Sequence, residues 1–457
     1  MEKKVYALAA LLLCCAEFPA CSDKEDVKEN DPVFEEVKQQ TLSLTVNASK
    51  NKDSKISKAL AESGQNLAAT WGENDEVSVY DGETLLGTLK PQTTGETSTV
   101  LCGNNLQAPT GTTLTLKFKS PDYSSQNGTL EYIAANCDYA VAQLTEVNVV
   151  DGEITYKEDY ADFVNQQAVV KFTLKNGDAD FSATSLTVND YTVTASSATN
   201  VFYVAIPATS DVALVATVSG GNEYAYTKTG ANFSNGNFYN VTVKTWKAKL
   251  VVATASNIIE AISIFNSSSY ENPTLKFDSD YTSSDFLTIT RNDGVIDLNN
   301  HSCVGKKMLI KNTDNSKTIT IQNGTIYGLD GNTGYTDTYA GKIKLINLTV
   351  NDVIWTDGHE YIIESGTYSN IYNGYGDKTK TPSEISGLPN KVIINGGSFT
   401  NISDHNNNKY HGTYVINGGK FVQNVGEPET IARATITIGT DKTVQYSGDT
   451  YYKYEVK

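Results

Sequence analysis

Side chains that could carry acid–base chemistry occur at several points in the C-terminal part of the chain. Asp278 and Asp280 are two residues apart, which would place both carboxylates on one face of a strand, as a catalytic or metal-binding pair requires. Asp357-Gly358-His359 joins an acid to a base, but Asp-Gly is also a frequent turn sequence. Arg291 has no carboxylate cluster at a telling spacing. Because such signals more often belong to solvated strand ends and turns, we predict no catalytic residue and no enzyme.

A second set of side chains suits non-covalent recognition. Tyrosine presents a flat apolar face and a polar tip, and aromatic, amide-rich loops suit carbohydrate or protein surfaces. The candidate ligand-binding residues are Tyr335, Tyr339, Tyr372, Tyr375, His405, Tyr410 and His411. Tyrosine is abundant, with 27 residues in the chain, so these positions are also compatible with ordinary polar loops. No cofactor is predicted, although the acidic stretch 330–337 leaves calcium binding open, since calcium prefers oxygen ligands.

An internal repeat provides the elements that would position these side chains. Each copy has a short strand, a Gly or Asn turn and another short strand. The copies begin at Ile319, Ile343, Tyr361, Val392 and Tyr414, which are 24, 18, 31 and 22 residues apart. Repeats of about twenty residues indicate a parallel β-solenoid, in which each coil buries its apolar face only by stacking on the next.

Insertions between the repeats are predicted on one side of the solenoid. The longer spacings add the segments 328–341, 370–390 and 401–412, each at the same place in its repeat. These segments contain the candidate ligand-binding residues. The asparagines of successive repeats also share positions, which predicts short ladders of side-chain amides. The pairs are Asn323 with Asn347 and Asn395 with Asn417.

Residues 40–247 have the alternation expected of β-sandwiches. Leu42, Leu44 and Val46 alternate with polar residues, and similar segments recur up to residue 243. A period of two buries one face of a strand and leaves the other in water. Gly, Pro, Asn and Asp clusters separate the strands. The prediction is an all-β fold, with sandwiches over 40–146 and 147–247 and the solenoid over 248–457.

The N-terminus predicts export and lipid anchoring. Lys3 and Lys4 precede an apolar run and a small residue, the pattern of a signal peptide over residues 1–20 rather than of a membrane span. Cys21 directly follows the predicted cut, where a bacterial lipoprotein carries its diacylglycerol. Residues 21–39 are charged and poor in apolar groups, which predicts a flexible tether. Ordinary secretion, with Cys21 removed or left free, is the alternative.

The net charge limits which partners the protein can bind, and the cysteines bear on whether it contains a disulfide. The 457 residues carry a formal charge of −17, which argues against nucleic acid and anionic lipid surfaces as partners. Of the six cysteines, Cys102, Cys137 and Cys303 lie beyond the signal region. A Cys102–Cys137 disulfide is left open, because it needs an oxidising compartment and the surrounding strands can form a core without it.

Several segments of the predicted sandwiches resemble the fimbrillin-like lipoproteins of Bacteroidales, and the resemblance covers roughly residues 40–247. They are Ala69-Thr70-Trp71-Gly72 with Glu76–Tyr80, Gly128–Tyr132, Tyr203–Pro207 and Phe233–Tyr239. The acidic run after Cys21 is similar to the surface-export signal of Bacteroidetes lipoproteins.

The fimbrillin resemblance implies a fold, a location and a role. It implies two transthyretin-like domains at the outer membrane surface. The expected role is adhesion, as a pilin, a pilus tip or an anchored binder of glycan or a host protein. The first arginine of the chain is Arg291, so processing after an arginine in the first domain is not available.

Residues 248–440 resemble the pectin-lyase-like right-handed β-helix. The resemblance rests on a predicted helix at 257–265, which Asn257 and Glu260 would cap, on the predicted strand with Asp278 and Asp280, and on Val295–His301. Enzymes of this fold hold calcium with clustered carboxylates or use paired acids. The resemblance therefore keeps a polysaccharide lyase or hydrolase as an alternative to adhesion. A structural pilus subunit is a further alternative.

Overall fold

The computed structural model describes residues 41–50, 61–63, 66–68, 70–120, 122–331, 341–374, 389–404, 412–427 and 435–457. The predicted signal peptide, Cys21 and the tether lie outside the described residues. The described chain is almost entirely β, in agreement with the predicted all-β class. None of its helices is long and apolar enough to cross a membrane.

The N-terminal strands, apart from a separate two-stranded sheet at 61–63 and 66–68, surround a first hydrophobic core. They are β1 Leu42–Ser49, β2 Ala61–Ser63, β3 Asn66–Ala68, β4 Val77–Asp81, β5 Thr84–Pro91, β6 Ser98–Leu106, β7 Thr113–Phe118, β8 Ala140–Thr145, β9 Asn148–Val150, β10 Glu153–Thr155, β11 Ala161–Asp162 and β12 Val164–Asn165. β1 pairs antiparallel with β6 and parallel with β10 and β11. Its alternate residues Leu42, Leu44 and Val46 are buried, as the period-two pattern predicts.

Residues 148–165 belong with this first core. The boundary expected from the sequence, at 146/147, places them in the second sandwich. In the structure β10 and β11 pair with β1, and β12 pairs with β8. Ile154 and Phe163 are buried in the same cluster as Trp71, whose ring meets Phe163 edge-on at 5.6 Å. The short strands after β8 therefore return to complete the first unit.

The next strands enclose a second core. They are β13 Ala168–Asn176, β14 Ala179–Asp180, β15 Ala183–Val188, β16 Tyr191–Thr199, β17 Val201–Ile206, β18 Thr209–Thr217, β19 Glu223–Phe233 and β20 Phe238–Val243. A short helix α1, Leu130–Tyr132, continues into a π-helical turn, Ile133–Cys137. This helical segment packs Leu130 and Ile133 against Val169, Ala205 and Phe238, so a small apolar cluster joins the two cores.

One strand connects the second core to the C-terminal part. β21, Lys247–Ala253, pairs antiparallel with β19. It also pairs parallel with the first strand of the C-terminal part, at Leu250 opposite Thr274. The sheet is therefore continuous from the second core into the C-terminal part.

The C-terminal strands stack in three parallel columns. After the helix α2, Ile258–Ser267, they are β22 Thr274–Phe277, β23 Tyr281–Thr282, β24 Leu287–Ile289, β25 Gly294–Asp297, β26 Ser302–Val304, β27 Met308–Ile310, β28 Thr318–Ile326, β29 Leu329–Asp330, β30 Lys342–Trp355, β31 Glu360–Ile363, β32 Gly366–Asn373, β33 Lys391–Ile394, β34 Ser398–Asp404, β35 Thr413–Ile416, β36 Gly419–Phe421, β37 Thr435–Ile438, β38 Val444–Tyr446 and β39 Tyr454–Val456. The first column runs through β22, β25, β28, β30, β31, β33, β35 and β37. The second contains β23, β26 and β36, and the third contains β24, β27 and β29. The long strands β28, β30, β32 and β34 bend from one column into the next, and antiparallel β38 and β39 follow β36.

Residues at equivalent repeat positions are stacked directly. The five repeat starts are paired in register, from Ile319 opposite Ile343 to Val392 opposite Tyr414. The interior contains a ring stack of Tyr368, Phe399 and Phe421 with centroid distances of 5.1 and 5.0 Å.

The predicted amide ladders are present. Asn347 donates to Asn323 Oδ1 at 3.4 Å, and Asn417 donates to Asn395 Oδ1 at 2.9 Å. Asn323 in turn donates to Asp297, and Asn395 donates to Glu364. Each ladder therefore ends on a carboxylate, which accepts the last amide hydrogen.

The predicted helix is present, but its predicted cap is not formed. α2 begins after Asn257 and buries Ile258, Ile262 and Phe265 over the first coil. The Asn257 side chain makes no cap bond within the helix, because it accepts from the Thr254 amide and donates to the Val252 carbonyl instead.

The thiols beyond the signal region are not bridged. Cys102, Cys137 and Cys303 are free, and the last two are buried. Burial raises the pKa of Cys137 and of Cys303 to about 12, which keeps both thiols protonated at neutral pH.

Candidate functional site

A row of half-buried residues on the third column contains a pair of aromatic rings in contact. Asp330, Trp355, Tyr372 and Ser403 occupy successive strands in register. The rings of Trp355 and Tyr372 lie 4.7 Å apart at an angle of 33°. Both side chains are half-buried, so the pair presents apolar area to solvent from a rigid sheet. We refer to Trp355 and Tyr372 as the aromatic platform.

Charges flank the aromatic platform on its N-terminal side. The Lys307 ammonium lies 5.5 Å from the centre of the Trp355 ring, in a cation–π contact. Asp330 is the register neighbour of Trp355 on the preceding strand and is half-exposed. A flat aromatic surface beside a cation and a carboxylate can pack on the apolar face of a ligand ring and hydrogen-bond its rim.

The insertions predicted over 328–341, 370–390 and 401–412 start later than expected, because most of their first described residues still belong to strands β29, β32 and β34 of this column. The segment 332–340 follows β29 and Gly331, the segment 375–388 follows β32 and Gly374, and the segment 405–411 follows β34. These segments lie outside the described residues. Their starting points are nevertheless aligned, because Asp330, Trp355, Tyr372 and Ser403 share one register row. The aromatic platform is therefore adjacent to the starts of all three insertions.

A chain of buried polar side chains lies beneath the points where the insertions leave and return. Thr356 Oγ1 donates to Asn373 Oδ1 at 2.9 Å, and Asn373 Nδ2 donates to the Thr413 carbonyl at 3.0 Å. Asn312 Nδ2 donates to the Lys342 carbonyl at 3.2 Å. These side chains have no solvent exposure, so the backbone carbonyls that they bond are satisfied away from water.

His359 is buried in the same corner. Its Nδ1 atom lies 3.1 Å from the Thr356 carbonyl, and its ring lies edge-on to Tyr361 at 6.3 Å. Complete burial lowers the pKa of His359 to about 4, so the imidazole is neutral at neutral pH. Burial raises the pKa of Tyr361 well above its ordinary value, and the nearby carboxylates of Asp330 and Asp357 raise it further.

The structure describes one of the seven candidate ligand-binding residues. Tyr372 lies on β32 rather than in a loop, because the strand extends to Asn373 before the insertion begins. The other six lie outside the described residues: Tyr335, Tyr339, Tyr375, His405, Tyr410 and His411. Those six positions remain predictions.

Sequence reasoning missed Trp355 because a bulge shifts the repeat. Leu348 pairs with Gly366, an offset of 18, whereas Trp355 pairs with Tyr372, an offset of 17. The register changes between Val350 and Val353. Alignment at a constant offset places Trp355 opposite Asn373, which conceals the aromatic pair. The sequence did contain a signal for this pair, because Trp355 precedes Tyr372 by 17 residues, close to the length of one repeat.

The residues that the sequence analysis weighed for acid–base or metal chemistry do not come together in one site among the described residues. Asp278 and Asp280 are both exposed in the turn after β22 rather than on a strand, and Asp280 accepts the Ser302 amide at 2.7 Å. Asp357 has a φ of 39° and forms a buried turn with Gly358, as the Asp-Gly signal predicts. Arg291 is buried against Asp293 at 2.7 Å. Among the described residues, no group of three or more His, Cys, Asp or Glu side chains is placed to hold a metal.

No protein-family model matches the chain, and no curated protein is significantly similar to it. Solved structures with detectable likeness include a candidate cell adhesion protein from Bacteroides fragilis. It is 14% identical, with 45% of this chain and 97% of that chain covered and a TM-score of 0.26. A fimbrial assembly protein from Parabacteroides distasonis is 10% identical, with 46% and 94% covered and a TM-score of 0.26. A candidate cell adhesion protein from Bacteroides uniformis is 12% identical, with 45% and 93% covered and a TM-score of 0.26. TM-scores of this size do not establish a shared fold.

Proposed function

We propose that this protein is a cell-surface adhesion protein that binds glycan or a host protein without catalysis. The ligand lies on the aromatic platform and on the insertions that begin beside it. The observation that carries the proposal is the Trp355–Tyr372 pair, with ring centroids 4.7 Å apart at an angle of 33° and both residues half-buried on a sheet. Rigid aromatic area bordered by polar groups is the usual composition of a recognition surface.

The proposed setting is the outer membrane of a Bacteroides-like organism. Cys21 carries the lipid, residues 21–39 form the tether, and two fimbrillin-like, transthyretin-like sandwiches carry a pectin-lyase-like parallel β-helix. The motifs quoted for these families and the stacked parallel columns support this description. The protein acts as a pilus tip or an anchored binder.

A polymerising pilus subunit is the less favoured role. A subunit of that kind must release its first strand so that a neighbour can replace it. β1 is paired with three strands, and its inward residues are at most 1% exposed, so its release would open the first core. The absence of arginine before Arg291 points in the same direction.

An array experiment tests the proposal. The chain without residues 1–21 is applied to glycan and mucin arrays, and the same samples are analysed for released or unsaturated sugars. Trp355→Ala and Tyr372→Ala should each lower apparent affinity by about tenfold or more, as loss of a central aromatic contact does. Tyr446→Ala is the matched control, because Tyr446 is 70% exposed on β38, which is not a platform strand.

The outcomes separate the three roles. Binding that survives in both platform variants would contradict the assigned surface. Turnover of a sugar would replace adhesion by the enzyme alternative. Absence of binding on every array would favour the structural subunit.

A further inference from the structure

A recess lies where the second core meets the three columns. It has a volume of about 620 Å³ and is formed by β19, by the start of β21 and by the segment that follows α2. Its aromatic lining is Tyr226, Trp246 and Tyr270. The volume falls within the range of small-molecule sites, which is about 300 to 1,000 Å³. This recess is separate from the aromatic platform and shares no residue with it.

The aromatic wall of the recess is held rigidly. The Trp246 indole Nε1–H donates to the Lys175 carbonyl at 3.0 Å. The same ring packs against Phe181 with centroids 5.3 Å apart at 32°, and against Tyr226 at 6.2 Å. The indole is therefore fixed at its edge and along one side while remaining half-exposed. A ring fixed in this way loses little conformational entropy when a ligand packs on it.

The opposite wall is fixed by the buried ion pair of Arg291 and Asp293. Arg291 Nη1 donates to the Ser268 carbonyl at 3.1 Å, and Nη2 donates to the Tyr270 carbonyl at 3.2 Å. Asp293 Oδ2 accepts the Asn272 amide at 3.1 Å. Both residues are less than 10% exposed. Arg291, which the sequence left as a weak catalytic signal, therefore shapes the segment that lines the recess.

The remaining lining residues define the chemistry of the occupant. Hydroxyl groups come from Thr227, Thr245 and Ser269, and an amide comes from Asn272. Lys247 and Glu271 contribute one charge of each sign, so the recess has no net charge. Aromatic faces next to hydroxyl, amide and paired charged groups match a molecule with an apolar ring face and a rim of hydroxyl groups.

We propose that this recess is a binding site for a neutral pyranose unit of a glycan. The sugar ring lies against Trp246 and Tyr270, and its hydroxyl groups bond the polar lining residues. The site is independent of the aromatic platform, so either site can fail its test without affecting the other.

Tryptophan fluorescence tests the site directly. The chain contains three tryptophans, and Trp71 is buried in the first core at 1% exposure. In Trp355→Phe, Trp246 is consequently the one tryptophan left that is open to ligand. This variant is titrated with glucose, galactose, mannose and N-acetylglucosamine to about 50 mM, which covers weak millimolar binding. At least one sugar should shift the emission with saturation.

A second substitution assigns the signal to the recess. Tyr270→Ala in the same background keeps the backbone carbonyl that Arg291 binds, and it should weaken binding by about tenfold. Tyr446→Ala should leave binding unchanged. Far-UV circular dichroism and thermal unfolding establish that each variant is folded. Saturation-transfer NMR on the unmodified chain gives a reading that does not depend on any substitution.

Two results would overturn the proposal. The first is an unchanged Trp246 emission and no saturation transfer with any of the four sugars. The second is binding that is equally strong in Tyr270→Ala, because such binding would lie elsewhere on the molecule.

Discussion

At the scale of single residues, burial decides the chemistry of the groups that the sequence singled out. His359 has no exposed surface, and its Nδ1 atom faces a backbone carbonyl. Arg291 and Asp293 neutralise one another inside the first coil. The Asp293 carboxyl loses hydration on burial, but the Asn272 amide and Arg291 more than compensate and hold its pKa below the ordinary value. These side chains consequently organise the fold.

Burial of His359 predicts a pH dependence of stability. Its pKa is about 4 in the folded state against 6.5 for the unfolded residue, so the unfolded chain binds the proton more tightly. Protonation of His359 therefore leaves the free energy of unfolding unchanged above about pH 6.5 and lowers it as the pH falls from 6.5 to 4. The expected loss is about 3 kcal/mol at the lower limit. Urea unfolding followed by tryptophan fluorescence at a series of pH values measures this loss.

One histidine variant shows whether His359 is responsible. His359→Gln cannot bind the proton in either state, so it should flatten the dependence between pH 6.5 and 4. The unmodified chain, measured in parallel, is the reference for the slope. An unchanged slope in His359→Gln would assign the dependence to other groups.

At the scale of elements, two glycines just before strands β30 and β35 pack closely against buried asparagine side chains. Gly341 and Gly412 lie against the side chains of Asn312 and Asn373. Those asparagines cannot move away without breaking buried hydrogen bonds to Lys342 and Thr413. Glycine is thus required by space at these positions.

We expect Gly412→Ala to be destabilising by about 1 to 3 kcal/mol, the usual cost of overpacking a buried site. A Cβ atom at this position would lie 2.2 Å from Asn373 Cγ. Gly72→Ala is the matched control, because its Cβ would meet Asp75 at an ordinary contact distance of 3.5 Å. Thermal unfolding compares the two variants. Equal midpoints would show that the Asn373 corner can relax.

At the scale of the whole molecule, shared strands and clusters connect the cores. β21 belongs both to the sheet of the second core and to the first column. The first core meets the second through the smaller cluster around Ile133. The predicted sandwich and solenoid are therefore joined by a continuous hydrogen-bonded sheet, and a fragment beginning at residue 248 would lose the partner of β21.

Native-state hydrogen exchange should reveal this continuity. Peptides from β19, β21 and β22 should share one opening free energy, because none of these strands can leave the sheet without exposing the next. Peptides from β7 and β8, in the first core, serve as the internal comparison and are expected to open separately. Different opening free energies for β19 and β22 would contradict the proposed coupling.

The sequence by itself determined the period of each element. Alternation in β1, the apolar face of α2 and the repeat starts at Ile319 and Ile343 are local patterns, and burial of one face enforces them. The all-β class and the amide ladders followed from the same patterns. These features could be predicted because each depends on residues that are close in sequence or equivalent in a repeat.

Only the tertiary structure decided which side chains meet. The bulge between Val350 and Val353 places Trp355 beside Tyr372, and the return of 148–165 to β1 extends the first core. The recess at Trp246 forms because segments far apart in sequence converge at β21. A one-residue change of register costs little locally but reassigns every contact that follows it. Pairing across long separations therefore leaves no pattern in a single sequence.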